Sequence, residues 1–180
     1  MINKYLIEGF KEMEVESYNV RHRRGSVKDV DLLLKWHKQL YDLHKKNLGL
    51  ESIKEDELKD AIIKDFNNHN KVIFIAEAKN KDAGFIEITN ENEKRIGHIN
   101  ALWVDIGSRG LKIGEYLLKI VINYYIKLKY DKIELAVYDF NTGAISLYKK
   151  LKFKLQENKE GRSTYYLKLQ EVRNERKDLL

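Results

Sequence analysis

A short stretch of glycine, arginine and lysine stands where a predicted strand gives way to a predicted helix. It consists of Val104-Asp105-Ile106-Gly107-Ser108-Arg109-Gly110-Leu111-Lys112-Ile113-Gly114. The first amides of a helix have no partner inside it, and the helix dipole adds partial positive charge at that end. Such a segment is suited to binding phosphate, and Arg109 and Lys112 add full charges. The alternative is an ordinary glycine turn into a buried helix, because the spacing matches neither the P-loop nor the dinucleotide-binding pattern.

A second polar motif, Asn141-x-x-Ala144-x-x-Leu147-Tyr148, follows the next predicted strand. If the two strands are parallel neighbours, both motifs lie at the carboxyl ends of strands, where open α/β sheets bind their ligands. Tyr148 shares a helix face with Ala144 and Leu147. It is therefore either a core aromatic residue or a site residue, and its hydroxyl group needs a partner if it is buried.

Composition limits the function classes. The chain has 180 residues, of which 43% are apolar and 34% charged, with a net charge of +6 and no cysteine. These values predict one globular, cytoplasmic domain without disulfides or thiolate metal sites, and no apolar run is long enough to cross a bilayer. The densest basic cluster, Arg21-His22-Arg23-Arg24, is short, so nucleic-acid binding is a weak alternative. His37 and His44 share a helix face without a third ligand, which favours core or rim histidines over a metal site.

The predicted elements follow the order β-α-α-β-β-β-α-β-α-β-β. This order indicates an α/β (α+β) single domain, with a mixed central sheet of about six to seven strands flanked by helices. We expect an N-terminal helical extension at residues 1–18, the domain at residues 19–169, and a charged, mobile C-terminal tail at residues 170–180. Helix starts are expected at Ser26 and at a capping box, Ser52-x-x-Glu55.

The two motifs, followed by Phe153, resemble those of the GCN5-related N-acetyltransferase (GNAT) superfamily. The family signature [RQ]-x-x-G-x-[GA] corresponds here to Arg109-Gly110-Leu111-Lys112-Ile113-Gly114. The resemblance covers roughly residues 19–169 and includes the order of the elements. It implies a sheet that is splayed between strands 4 and 5.

The resemblance also implies acetyl-CoA as co-substrate, with no metal. The loop amides would hold its pyrophosphate, and a strand edge and Asn141 would bind the pantetheine arm. One strand amide would polarise the thioester carbonyl, and Tyr148 would protonate the departing thiolate. The implied cofactor-binding residues are Leu102, Trp103, Val104, Arg109, Gly110, Leu111, Lys112, Ile113, Gly114, Asn141 and Tyr148.

Lys112 departs from the family pattern, which usually has glycine at this position. A glycine is required only where φ is positive. Because Gly110 and Gly114 remain to relieve crowding, we expect a negative φ at Lys112. Its ammonium group would then reach a phosphate of coenzyme A.

The general base is less well defined by the resemblance. Many members have a glutamate six positions before the residue that matches Val104, and this chain has His98 there. Strand alternation predicts that residues 98, 100, 102 and 104 share one face, so that His98 and Asn100 would share the site. An imidazole titrates near neutrality and is suited to the role. A partly exposed histidine at a strand end is the alternative, and the substitute bases are Glu87 and Asp105.

The predicted function is direct transfer of the acetyl group of acetyl-CoA to a primary amine of a small molecule, a polyamine, or a protein N-terminus or lysine. A non-catalytic acyl-CoA sensor is the alternative that Lys112 motivates. In the family, the link between the first two helices often borders the acceptor site. Carboxylates there would attract a cationic amine or simply serve a helix N-terminus: Glu51, Glu55, Asp56, Glu57 and Asp60. We expect a small-molecule or peptide amine as partner, with no membrane and no nucleic acid, and the sequence is compatible with a homodimer.

Overall fold

The computed structural model describes residues 20–49, 51 and 53–177. Its sheet has seven strands in the order β1-β2-β3-β4-β5-β7-β6. The strands are β1 (Val20–Arg24), β2 (Lys71–Ala78), β3 (Lys81–Glu91), β4 (Ile96–Val104), β5 (Lys132–Tyr138), β6 (Lys154–Lys159) and β7 (Arg162–Lys168). The helices are α1 (Val30–Leu48), α2 (Glu55–Asn67), α3 (Ile113–Lys127), α4 (Thr142–Lys150) and α5 (Leu169–Lys177). Neighbouring strands are antiparallel except β4 and β5, which are parallel.

The sheet separates two hydrophobic cores. On one face, α3 packs against the sheet through a nearly all-apolar surface, and Tyr148 of α4 and Leu169 of α5 join the same core. On the other face, Trp36 of α1 and Ile62 of α2 pack against residues that include Trp103 of β4. Burying apolar surface on both faces explains why the central strands carry long hydrophobic runs.

The start of α1 matches the sequence prediction. Ser26 donates from its backbone amide to the carboxylate of Asp29 at 2.8 Å, and a short 3-10 turn over Val27–Asp29 leads into the helix. Gly49 ends α1 in the left-handed conformation, with φ of 66°. The second helix begins at Glu55 after Lys54, and Ser52 of the expected capping box lies outside the described residues. The expected N-terminal extension lies outside them as well.

The segment after β7 is a helix rather than the mobile tail that we expected. Leu169 is fully buried, and Val172 packs against the same core three positions later. Arg173 donates to the backbone carbonyl of Tyr130, and Lys154 pairs with Glu171 at 2.8 Å. Two apolar residues at helical spacing thus hold the helix against the domain.

A β-bulge in β4 changes which side chains share a face. Ala101 pairs with Glu87 and Ile99 pairs with Ile88, so Asn100 is the extra residue. As a result Ile99 and Leu102 both join the core under α3. The expectation that residues 98, 100, 102 and 104 share one face is therefore wrong, because simple alternation does not continue through a bulge.

Strands β4 and β5 diverge where the bulge begins. Their parallel pairing runs from Ile96 with Lys132 to Ile99 with Leu135. Both strands continue beyond this point, to Val104 and Tyr138, so the sheet opens between them. The predicted splay between strands 4 and 5 is confirmed. No helix in the described part of the chain is long and apolar enough to cross a membrane.

Candidate active site

The opening between β4 and β5 forms a cleft. It is lined by residues of both strands, of α1 and of the segment after β5: Leu40, His44, Ile99, Asn100, Ala101, Leu102, Leu135, Ala136, Val137, Tyr138, Asn141, Tyr148 and Arg162. The β4 residues beyond Ile99 pair with β3 on one side only, so their other backbone edge faces the cleft. An extended ligand with amide groups fits such an edge, because it supplies the missing hydrogen-bond partners.

The glycine-rich loop follows the end of β4 and leads into α3. It begins with a 3-10 turn over Ile106–Ser108 and continues to the first residue of α3. Gly110 has φ of +83°, and a Cβ atom there would meet nothing within 4 Å, so the loop is open at this point. At Gly114 a Cβ atom would lie 3.3 Å from Leu147 and 3.6 Å from Val104. The close packing at Gly114 sets the N-terminus of α3 beside the end of β4 and the helix that carries Tyr148.

Lys112 adopts a conformation that the sequence analysis did not expect. Its φ is 57° and its ψ is 20°, which is the left-handed region. The expectation of a negative φ is wrong. The family's glycine therefore has a conformational reason at this position, and lysine adopts the same backbone at a cost of about 1–2 kcal/mol.

The first turn of α3 presents backbone donors to the loop. Tyr116 donates its amide to the carbonyl of Lys112 at 3.0 Å, so helical hydrogen bonding starts there. Helix geometry leaves the first amides of α3 directed toward the loop, and an anion is favoured at this end of a helix.

Charged side chains near the loop and the N-terminus of α3 leave little negative charge to repel an anion. The guanidinium of Arg109 lies 5.0 Å from the centre of the Trp103 ring. Glu115, in the first turn of α3, pairs with Lys150 at 2.7 Å and with Lys119 at 3.4 Å. These contacts, with Lys150 first, lower the pKa of Glu115 and neutralise its carboxylate near the helix N-terminus.

The other predicted cofactor-binding residues do not all lie on the same face of the sheet. Leu102 and Val104 pack on the α3 side, whereas the Trp103 side chain is buried in the opposite core under α1. Only the backbone of Trp103 is therefore placed to meet an extended ligand. Ile113 is a core residue, and Leu111 is 37% exposed beside the loop.

Asn141 and Tyr148 both line the cleft. The side-chain oxygen of Asn141 caps α4 by accepting from the amide of Ala144 at 3.3 Å. Its NH2 group is then the part that is suited to a ligand carbonyl. Tyr148 is 6% exposed, and burial raises the pKa of its hydroxyl group to about 12.

His98 is not among the residues that line the cleft. It lies where β4 and β5 are still paired, opposite Glu134, and its Nε2 atom is 3.2 Å from a carboxylate oxygen of Glu91. It lines a separate cavity together with Asn70, Thr89, Asn90, Glu91, Asn92 and Glu93. The structure therefore brings Tyr148, Asn141 and the loop together and leaves His98 apart from them.

The other acidic candidates are also located. Asp105 accepts from the indole nitrogen of Trp36 at 3.2 Å and from the amide of Gly107 at 3.3 Å, so its carboxylate holds the loop in place. Glu55 pairs with Lys38 on the surface. Among the carboxylates of α2, Asp65 faces a cavity, whereas the acidic residues at the start of the helix do not line it.

A polar group on the α1 side of the sheet was missed as a unit. It consists of His37, Asp65, Lys71 and Glu87, which belong to α1, α2, β2 and β3. Glu87 had been named alone, and His37 had been expected to be a core or rim residue. The sequence did contain a signal for this group. His37 is a polar residue on the apolar face of α1, and Glu87 is a charged residue in a hydrophobic strand. Within the described ranges, no group of three or more His, Cys, Asp or Glu side chains is placed to hold a metal ion.

Comparison with known proteins shows the family. A family model described as "Acetyltransferase (GNAT) family" matches residues 35–153, which is more than half of the chain. The chain belongs to the GNAT acetyltransferase family. The family predicted from the two motifs is thus confirmed, and the mixed, splayed sheet is the fold of this GNAT chain.

An uncharacterised N-acetyltransferase of Methanocaldococcus jannaschii is 33% identical over 93 residues, which are 49% of this chain and 41% of the relative. The match thus spans less than half of the length of that relative. The PaiA N-acetyltransferase of Thermoplasma acidophilum, solved with coenzyme A, has a TM-score of 0.68 at 19% identity, over 83% of this chain and 98% of the other. A mutant spermidine N-acetyltransferase SpeG of Vibrio cholerae has a TM-score of 0.70 at 16% identity, over 88% and 98% of the two chains. At these identities the two solved structures establish the shared fold.

Proposed function

We propose that this GNAT protein is an acetyl-CoA-dependent N-acetyltransferase that acts on a primary amine. The observation that carries the proposal is the cleft between β4 and β5, which opens after Ile99 and Leu135 and is lined by Tyr148. Val104 at the end of β4 and Leu147, the neighbour of Tyr148, both lie close to Gly114 at the N-terminus of α3, where a diphosphate is favoured. The site thus combines a helix N-terminus suited to an anion, an unpaired strand edge and a buried hydroxyl group.

Each part of the cleft has a role in this proposal. The amides between Arg109 and Gly114 bind the pyrophosphate of acetyl-CoA, and the free edge of β4 binds the pantetheine arm. An amide of Leu102, Trp103 or Val104 polarises the thioester carbonyl, because a preorganised donor stabilises the developing oxyanion. Asn141 holds the arm from the other side of the cleft.

Tyr148 supplies the proton to the departing thiolate. Because burial raises the pKa of its hydroxyl group to about 12, Tyr148 stays protonated throughout the neutral pH range. A general acid must carry its proton when the leaving group departs. The hydroxyl group is restored from solvent after the products leave.

A non-catalytic acyl-CoA sensor is the second candidate, and the left-handed backbone of Lys112 is the observation behind it. The two functions differ in turnover. Calorimetry with coenzyme A tests binding, and release of free thiol from acetyl-CoA in the presence of a panel of amines tests catalysis. Saturable thiol release above background, with acetylated amine found by mass spectrometry, is the expected result. Binding without release for every amine would favour the sensor, and a lack of binding would contradict both candidates.

A further inference from the structure

A second cavity adjoins the cofactor cleft on the α1 side of the sheet. It is lined by His37, Leu40, Tyr41, His44, Leu58, Asp65, Glu87, Asn100 and Ala101. Several of these residues also line the cofactor cleft: Leu40, His44, Asn100 and Ala101. A group held in the second cavity therefore lies next to the end of the cleft at which β4 and β5 separate.

The inner wall of this cavity holds an unusual pair. The Nε2 atom of His37 lies 3.7 Å from the Oε2 atom of Glu87, and the Glu87 side chain is only 6% exposed. At this distance the two side chains are not hydrogen-bonded, and the Nε2 atom is buried without a partner. A buried nitrogen without a partner costs free energy in the absence of a ligand, so the pair is suited to a polar group that lies beside the two side chains and contacts both.

The charges around the pair favour a cation. The groups facing His37 from the packed elements are Asp65 of α2, Lys71 of β2 and Glu87 of β3. Lys71 lies 2.7 Å from Asp65 and 3.0 Å from Glu87, so the two carboxylates share one cation. With His37 neutral, the group carries a net charge of about −1, which would attract an ammonium ion. Leu40, Leu58 and Ala101 add apolar surface to the wall, which suits the carbon chain of an aliphatic amine.

We propose that His37 and Glu87 form the inner end of the acceptor site, where a cationic aliphatic primary amine binds and gives up its proton. This inference depends on the proposed acetyltransferase activity and specifies its acceptor and its base. His37 and Glu87 are catalytic residues in this proposal, because both contact the acceptor nitrogen.

The proton balance of the step is complete. The ammonium group transfers one proton to His37 Nε2, and Glu87 stabilises the resulting imidazolium. The freed lone pair of the amine forms the C–N bond with the thioester carbonyl carbon, the C–S bond breaks, and the thiolate takes the proton of Tyr148. The second proton of the attacking nitrogen and the proton on His37 return to solvent, which reprotonates Tyr148 with one of them.

The histidine must be neutral before it can act, and its surroundings ensure this. Burial lowers the pKa of His37 to about 4, with Lys71 acting in the same direction and Asp65 against it. Burial also raises the pKa of Glu87, although Lys71 opposes the shift. His37 is therefore neutral at pH 7 when the acceptor arrives, and in the proposed step it passes the proton on to solvent.

His98 is the competing candidate, and two observations favour His37. The cavity of His98 shares no lining residue with the cofactor cleft. In addition, the ring of His98 is already engaged by Glu91 at 3.2 Å, and its Nδ1 atom lies 3.8 Å from Glu134. The imidazole of His98 is thus engaged by carboxylates outside the cleft.

The decisive experiment compares two acceptors that differ in basicity. We would use the best aliphatic primary amine from the panel and its fluorinated analogue, whose electron-withdrawing fluorine atoms leave far more of the amine neutral at pH 7. His37→Asn should lower kcat about 10²-fold for the basic amine, because a general base typically contributes that much. It should change kcat less than about threefold for the fluorinated amine, which does not need deprotonation. Glu87→Gln should raise the KM of the basic amine about tenfold through the lost charge.

Three comparisons make the outcome unambiguous. His69→Gln, at an exposed turn position, is the matched control and should leave both acceptors unaffected. Coenzyme A binding by calorimetry should be unchanged in every variant, which establishes that the variants are folded. Equal losses for both amines in His37→Asn, or no loss, would overturn the inference while the acetyltransferase proposal stands. The inference would also be overturned if His98→Asn lowered kcat for the basic amine alone while His37→Asn remained active. A wild-type protein that acetylates no amine would contradict the proposed function, and the inference would fall with it.

Discussion

Ile99 and Leu135 are the last residues at which β4 and β5 pair as parallel strands. The bulge at Asn100 follows at once in β4, and it also reverses the faces of the residues beyond it. Asn100 therefore lies at the start of the cleft, beside the free edge of β4, and it also lines the second cavity. The cleft is a consequence of how two strands separate, and the chemistry proposed for it depends on which side chains the separation exposes.

The first prediction concerns the proton donor. Tyr148→Phe should lower kcat by about 10²-fold, because the departing thiolate loses its general acid. The Kd of coenzyme A should change little, since binding is proposed to use the loop and the strand edge. Steady-state kinetics and calorimetry measure the two quantities. Tyr165→Phe, at a buried ring 6.5 Å from that of Tyr148, is the matched control and should retain wild-type kcat. Equal activity of the two variants would remove Tyr148 from the mechanism.

The second prediction concerns the left-handed lysine. Lys112→Gly should relieve about 1–2 kcal/mol of backbone strain, of which the freedom of glycine in the unfolded chain cancels about 0.4–1 kcal/mol. We expect the free energy of unfolding, measured with urea, to rise by up to about 1.6 kcal/mol. Lys129→Gly, at another exposed lysine with φ of 60°, should give a similar gain. If the Lys112 ammonium meets a phosphate, only Lys112→Gly weakens coenzyme A binding. Identical coenzyme A affinities in both variants would limit Lys112 to a backbone role.

Much of the fold was predictable because it depends on periodicity. Strands buried on both faces, the apolar face of α1 and the Ser26 turn were each visible as local patterns, and the order of elements followed from them. The helix α5 was missed because its charged residues outnumber the two apolar anchors, Leu169 and Val172. Judged by composition alone, such a charged segment resembles a mobile tail. The contacts of Leu169 and Val172 become visible only in the folded domain.

The parts of the candidate site that come from one continuous stretch of sequence could be located from the sequence. The loop from Arg109 to Gly114 and the segment from Asn141 to Tyr148 are each contiguous in sequence. The bulge at Asn100 left no sequence signal, and it invalidated the alternation on which the placement of His98 depended. The His37–Glu87 pair joins residues fifty positions apart, and their convergence requires the packing of α1 on β3.

The third prediction tests how α3 is attached to β4. A Cβ atom at Gly97 would lie 2.2 Å from the ring of Tyr125, which donates its hydroxyl group to the carbonyl of Thr89 at 2.8 Å. Gly97→Ala should therefore destabilise the fold by about 3 kcal/mol, because the ring must leave its site. Gly143→Ala, where a Cβ atom meets nothing within 4 Å, is the control and should have a neutral or slightly stabilising effect. Urea unfolding of both variants measures the difference, and equal midpoints would contradict the packing.

The fourth prediction uses the histidine pair to connect pH and stability. The pKa of His37 is lowered from 6.5 to about 4 in the folded protein, mainly by burial. The unfolded chain therefore binds a proton at His37 before the folded protein does. This contribution to stability is fully present above pH 6.5 and is lost as the pH falls toward 4. Between pH 7.5 and pH 4.5 the loss amounts to about 2 kcal/mol.

His37→Asn removes this titration but retains a side chain that forms hydrogen bonds. We expect the variant to lose about 2 kcal/mol less stability than the wild type over the same interval, whatever its stability at pH 7.5. The change with pH separates protonation from packing, because a cavity or a lost contact lowers stability equally at both pH values. Asp65 and Glu87 remain in both proteins, so their own titration largely cancels in the comparison. His69→Asn, at an exposed position, should follow the wild-type pH dependence. Parallel urea-unfolding curves for wild type and His37→Asn would mean that His37 titrates as it does in water, and the buried, neutral imidazole that the acceptor site requires would be excluded.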